Sequence, residues 1–107
     1  MLLLLQWNNP LERGNVPGKV FEYVAARRPV LGIGVEDGVP AKLMAERGVG
    51  WVINDPTAIA EKVQGWIDQK RQEGRLPLMP ATVRDGLSRA EQYAMLERRL
   101  SNVLEGP

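Results

Sequence analysis

Hydrophobic residues in this chain cluster in three short unbroken runs, with helically spaced apolar positions between them. Leu2-Leu-Leu-Leu5, Val30-Leu-Gly-Ile-Gly-Val35 and Val49-Gly-Trp-Val-Ile53 are the runs. Continuous runs of this length fit strands covered on both faces, as in a parallel sheet. Trp7 to Gly18 is rich in Asn, Pro and Gly and reads as a loop. Lys19 to Arg28 follows as a helix, with Phe21, Val24 and Ala25 at i, i+3 and i+4, and Pro29 stops it. Glu36 to Gly38 is a turn. Pro40 suits the first position of a helix reaching Arg47, and Gly48 ends that helix.

After the third run, Asn54 or Asp55 caps a long helix with Pro56 just inside. Its apolar face is Ile59, Val63, Trp66 and Ile67. Gly74 to Pro80 is a break. A last helix is predicted from about Thr82 to Leu104, with Leu87, Ala90, Tyr93, Leu96, Leu100 and Val103 on one side. The order β-α-β-α-β-α-α predicts an α/β fold of Rossmann-like, three-layer type. It would have a three-stranded parallel sheet, right-handed crossovers, flanking helices and a long C-terminal helix.

The first run fits this scheme least well. A strand of four leucines belongs in the middle of a sheet, and nothing precedes it to supply a neighbour. As an edge strand it would expose an apolar template for pairing. Two expectations follow: that the chain is a fragment, and that it forms a homodimer through Leu2–Leu5, joining two small sheets.

Composition narrows the chemistry. The 107 residues suffice for one domain with one core. At 44% hydrophobic and 25% charged residues the chain is ordinary for a globular protein, and its net charge of +1 makes no case for nucleic acid. Cysteine and histidine are both absent. That removes disulfides, thiol nucleophiles, thiolate metal sites and the commonest general base. The sequence shows no obvious metal cluster. Met1 to Leu5 is too short for a signal peptide and lacks a basic lead-in, and no stretch approaches membrane-spanning length. A cytoplasmic location is expected.

Specific chemistry enters through one segment, Gly14-Asn-Val-Pro-Gly-Lys-Val-Phe-Glu-Tyr-Val-Ala-Ala-Arg-Arg-Pro-Val-Leu31. It resembles the donor-site segment of GT-B-fold, family-4-type (group 1) glycosyltransferases, with Pro17, Lys19, Glu22, Tyr23, Ala25, Arg28, Pro29, Val30 and Leu31 on the pattern. Glu46, Gly48 and Gly50, the Asp-Pro start of the long helix, and the pair Ser88-Arg89 extend the likeness along nearly the whole chain. The resemblance implies the C-terminal, donor-binding half of a retaining enzyme, without its N-terminal acceptor domain. It also implies a UDP- or GDP-sugar as donor, no cofactor, and a chain that is inactive alone. Of the two glutamates eight positions apart in such enzymes, the second maps onto Glu22. The first falls on Gly14, so this chain lacks it.

The residue chemistry suits that expectation. A carboxylate accepts both hydroxyl hydrogens of a ribose, and Glu22 lies in the first turns of a helix that follows a strand and a glycine-rich loop. Free N–H groups at that helix start favour a diphosphate. Gly14, Asn15, Pro17 and Gly18 form the loop, and Lys19 adds a point charge. These five residues and Glu22 are the candidate donor-binding set, with Gly34 and Glu36 as secondary candidates. No catalytic residue is assigned.

Plainer readings stand beside these. Glu22 and Lys19 also suit solvated helix positions, and Gly14 and Gly18 suit ordinary turns. Gly32-Ile-Gly34 reads as a strand end, since Asp37 stands where a dinucleotide motif needs its third glycine. Trp51 and Trp66 are expected in the core, and Trp7 in the core or an interface. Arg27-Arg28 and Arg98-Arg99 are expected on solvated helix faces, where they could also make a peripheral contact with an acidic membrane. A different class of function, a small self-associating interaction module with no ligand, fits the same strand pattern.

Overall fold

The computed structural model describes residues 1–106. Strands β1 (Leu2–Leu5), β2 (Val30–Ile33) and β3 (Gly50–Val52) alternate with helices α1 (Gly18–Ala25), α2 (Val39–Glu46) and α3 (Pro56–Glu73). Two 3₁₀ turns, Pro10–Glu12 and Ala81–Arg84, and helix α4 (Arg89–Glu105) complete the chain. The sheet has the order β1-β2-β3 and is parallel throughout. This is the α/β, Rossmann-like arrangement that the alternation predicts.

The register decides which side chains share a face. Leu2 pairs with Val30, and Leu4 with Gly32; Val30 pairs with Gly50, and Gly32 with Val52. These positions face α1 and α2. The core there comprises Leu4 and Val30, Val20 and Val24 of α1, Met44 of α2, Val49, and Val83 from the second 3₁₀ turn. Two successive right-handed crossovers in one direction put both helices on one face, as this cluster requires. Gly32 and Gly50 are glycines because the strands crowd them. A Cβ on Gly32 would lie 2.9 Å from Val52 Cγ2, and one on Gly50 2.9 Å from the Val30 carbonyl oxygen.

The opposite face carries Leu3, Leu31 and Trp51 in one row, and Leu5 with Ile33 in the next. Its cover comes from α3 on the β3 side. Trp66 sets its ring 6.1 Å from that of Trp51 at 51°, and Lys62 Nζ sits 3.6 Å from the Trp51 ring centre. Both tryptophans are half-buried rather than in the core.

Several expectations need correction. The leucine strand is not covered on both faces: it lies at the edge of the sheet with Leu4 buried, while Leu3 is 44% and Leu5 60% exposed. Trp7, 81% exposed, lies outside the core. The inward face of α1 is Val20 and Val24, whereas Phe21 is 41% exposed and Ala25 is also exposed. The last helix does not run from Thr82. Gly86 adopts φ 80°, Ser88 becomes the N-cap, and α4 starts at Arg89. A capping box closes its first turn, with Ser88 Oγ accepting from Glu91 N and the Glu91 carboxylate accepting from Ser88 N. Every residue from Ser88 to Gly106 is exposed, and of the predicted apolar side only Leu87, which precedes the helix, packs against the core.

Arg27 and Arg28 are likewise not solvated helix positions. Both follow α1 and are half-buried, and Arg27 takes the left-handed conformation at φ 57°. Arg27 Nε donates to the Met79 carbonyl at 2.6 Å, and Met79 N donates back to the Arg27 carbonyl at 2.9 Å. Arg28 donates to the Leu76 carbonyl at 2.7 Å. Arg47, just past α2, donates to the carbonyls of Val83 and Asp85, each at 2.7 Å. These three arginines bind the otherwise irregular return segment to the body of the fold.

Candidate functional site

The carboxyl ends of the strands are the part of an open parallel sheet where loops and helix starts converge. Here β1 leads into Gln6, β2 into Gly34, and β3 through Ile53 into Asn54. Asn54 stitches this rim together. Its Nδ2 donates to the Gly34 carbonyl at 2.6 Å, its Oδ1 accepts from Gly34 N at 3.1 Å, and its own N–H donates to Glu36 Oε1 at 3.0 Å. Gly34 has φ 149°, and a Cβ there would lie 2.8 Å from Gln6 Cβ. Gly34 and Glu36 therefore have internal structural duties, and the Gly32-x-Gly34 pair is a crowded strand end, as the sequence suggests.

The loop between β1 and α1 is held from within. Asn9 Oδ1 accepts from Leu11 N, and Asn15 Nδ2 donates to Glu12 Oε2 at 2.9 Å. Arg13 Nε lies 3.1 Å from both carboxylate oxygens of Asp37 in the turn after β2. The Arg13 hydrogen bond holds the Asp37 carboxyl below its usual value, against a smaller opposing effect of desolvation. The Arg13 carbonyl also accepts from Val39 N, the first residue of α2. The loop after β1 is thus fixed to the start of α2.

The six candidate residues do not share one cavity. Gly18 and Glu22 line an open cleft of about 630 Å3 whose other walls include Phe21, Val39, Leu43 and Leu87, with Arg89 and Gln92 from the start of α4. Asn15 and Pro17 line a separate depression of about 300 Å3 beside Leu5, Gln6 and Trp7. Gly14 and Lys19 lie outside both. The Glu22 carboxylate has no hydrogen-bond or ion-pair partner among the described residues.

Neither Gly14 nor Gly18 is forced by the chain. A Cβ on either would meet nothing within 4 Å, and neither has a left-handed φ. No side chain caps the start of α1, whose N-cap is Pro17. By contrast, α3 is capped by Asp55, accepting from Ala58 N at 2.9 Å, and α4 by its box. Sequence reasoning missed the apolar walls of the cleft. Phe21 read as a core position, and Leu87, Arg89 and Gln92 lie more than sixty residues downstream of Glu22 in an assumed continuous helix.

Comparison with known proteins adds no second source: no family model matches the chain, and no curated protein and no solved structure matches it either. Among the described residues, no helix is long and apolar enough to cross a membrane.

Proposed function

We propose that this chain is the donor-binding part of a glycosyl-transferring enzyme, taking the nucleoside diphosphate of a nucleotide-sugar at the carboxyl end of its sheet. One observation carries the reading. The start of α1 has no side-chain cap, follows a loop whose two glycines the chain itself does not require, and leads within five residues to an unpartnered carboxylate. In this reading the free amides of Gly18 and Lys19 face the diphosphate, which the positive end of the helix favours. Gly14 and Gly18 keep the approach clear, Lys19 supplies counter-charge, and Glu22 accepts from the two ribose hydroxyls.

The apolar wall of Val16, Phe21, Val39 and Leu43 beside Glu22 gives a surface for the rest of the nucleoside. During glycosyl transfer the departing diphosphate gains negative charge, and fixed amides with Lys19 would oppose that charge. The acceptor and the remainder of an active site would come from sequence outside this chain. A cytoplasmic setting, with peripheral contact to acidic lipid through Arg98 and Arg99 on the exposed α4, belongs to the same reading.

Thermal unfolding with UDP, GDP, ADP and NAD, run beside Glu22→Ala, tests it. A ligand at about a hundred times its dissociation constant adds roughly 2.7 kcal/mol. A stabilising shift with one nucleoside diphosphate, lost in Glu22→Ala, is the expected result. No shift with any of the four, or a shift that the mutant keeps, counts against the donor site.

A further inference from the structure

We propose that the open edge of β1 pairs with β1 of a second copy of this chain, antiparallel about a two-fold axis at Leu4. The backbone of β1 is used on one side only. Leu2 N donates to the Pro29 carbonyl and Gln6 N to the Ile33 carbonyl, each at 2.8 Å, so the even positions face β2. By the alternation of a strand, the N–H and C=O groups of Leu3 and Leu5 point out of the sheet. The same two residues expose their side chains, and Trp7, just beyond the strand, is exposed as well.

The occupant follows from the strand's own pattern. In an antiparallel pair centred on Leu4, Leu3 lies opposite Leu5 of the second copy and Leu5 opposite Leu3. Both are hydrogen-bonded pairs, and each exchanges two backbone bonds. Leu4 meets its own copy on the helix-covered face. The exposed leucines of both chains then form one cluster, with Trp7 near Met1 of the other copy.

No charge opposes this pairing. The first charged side chain after the strand is Glu12, so no like charges face each other across the junction. Apart from its shortness, at four residues, β1 lacks the devices that usually blunt an edge: it has no lysine, no proline and no bulge. The product is a single six-stranded sheet, β3-β2-β1-β1-β2-β3, of ordinary size for a globular fold. The pairing uses the side of β1, whereas the Glu22 cleft proposed for the nucleotide is lined by neither Leu3 nor Leu5.

The test is the oligomeric state of the full chain, by light scattering and sedimentation from low micromolar to near-millimolar concentration. The mass is expected to rise from 11.9 kDa toward twice that value. Leu5→Lys should hold it at the monomer. Its unchanged circular dichroism would show an intact fold, because Leu5 lies outside the core.

Register is read separately. The chain has no cysteine, so Leu3→Cys and Leu5→Cys each introduce a single thiol. An equal mixture of the two should form disulfide dimers faster than either alone, because like positions sit on diagonals about 7–8 Å apart, beyond easy bridging. A wild-type chain that stays monomeric throughout, a Leu5→Lys chain that still dimerises, or faster cross-linking of either single variant would overturn the proposal. Nucleotide binding could fail without touching any of these readouts.

Discussion

The two edges of this sheet are built from similar apolar residues and end in different states. On the face away from α1 and α2, one row of paired residues runs Leu3, Leu31, Trp51. Leu31 in the middle is 2% exposed. At the β3 end, Trp51 is covered by Trp66 and crossed by the Lys62 ammonium, both from the helix that follows in sequence. At the β1 end, Leu3 is 44% and Leu5 60% exposed, although the outer backbone of β1 and that of β3 alike have no strand neighbour. Hydrophobicity alone therefore does not decide burial. The apolar face of an edge strand is covered when the chain that follows returns over it, and on this face only β3 is followed by a helix, of eighteen residues, placed to do so.

The largest test of this contrast lies within β1 itself. Leu4→Ala removes a fully buried side chain from the core and should destabilise the monomer by about 3 kcal/mol. Leu5→Ala, one residue on, should stay within about 0.5 kcal/mol under dilute conditions where no pairing occurs. Urea unfolding of both variants at low concentration measures the difference. Equal effects would mean that the outer face of β1 is as well packed as the inner one.

That alternation also marks how far the sequence could be read. The order of the first three strand–helix units was legible because each boundary carries a local signal. Pro29 follows α1, Gly48 leaves α2 at φ 68°, and Asp55 caps α3 with Pro56 just inside. The burial of β1 was not legible, since a run of four leucines reads the same whether one face or two find partners. The break before α4 was legible and was missed. Gly86 and the pair Ser88 and Glu91 spell a stop and a capping box, but the apolar spacing from Leu87 onward masked them.

The arginines mark a harder limit. The carbonyl partners of Arg27, Arg28 and Arg47 lie 52, 48 and 36 residues away, in a segment with no periodic pattern. For the candidate site, the loop, the helix start and Glu22 were readable as neighbours in sequence. The division of those residues between two depressions was not, because it depends on where Leu87 and Arg89 return.

A smaller effect sharpens the contrast from the β3 side. Trp66→Ala strips the cover from Trp51 and should cost about 2 kcal/mol, less than a fully buried tryptophan because both rings are half-buried. The Lys62 ammonium is also 5.5 Å from the Trp66 ring, so Lys62→Gln should cost about 0.5–1 kcal/mol through the lost cation–π contact. The combination should be less than additive, since the two residues share Trp51. A double-mutant cycle by denaturant unfolding reads the coupling. Full additivity would mean that lysine and tryptophan do not act on the same ring.

The smallest expected effect concerns how each end of the sheet is tied at its rim. The β3 end is held by the Asn54 amide on Gly34, with the Glu36 carboxylate accepting from Asn54 N and no part played by Asp37. The β1 end is held by the ion pair of Arg13 with Asp37, whose carboxyl titrates. The Arg13 hydrogen bond is the main reason that the Asp37 carboxyl lies below its usual value, and Lys42 adds a weaker pull in the same direction. A carboxyl whose folded value is depressed stabilises the fold above its unfolded value. That contribution disappears as pH falls through the folded one. The Asp37 side chain is 63% exposed, so the effect on global stability should be slight and screened by salt. A local readout is therefore the suitable one. In a carbon-detected NMR titration, Asp37 should titrate below the ordinary aspartate value of about 3.9, and Arg13→Gln should bring it back toward that value. The Val39 amide, which donates to the Arg13 carbonyl, should move with the same midpoint, while Arg13→Gln should leave the response of the Gly34 amide on Asn54 unchanged. An Asp37 midpoint unchanged by Arg13→Gln would mean that the pair does not persist in solution and that the loop after β1 is fixed by the backbone bond to Val39 alone.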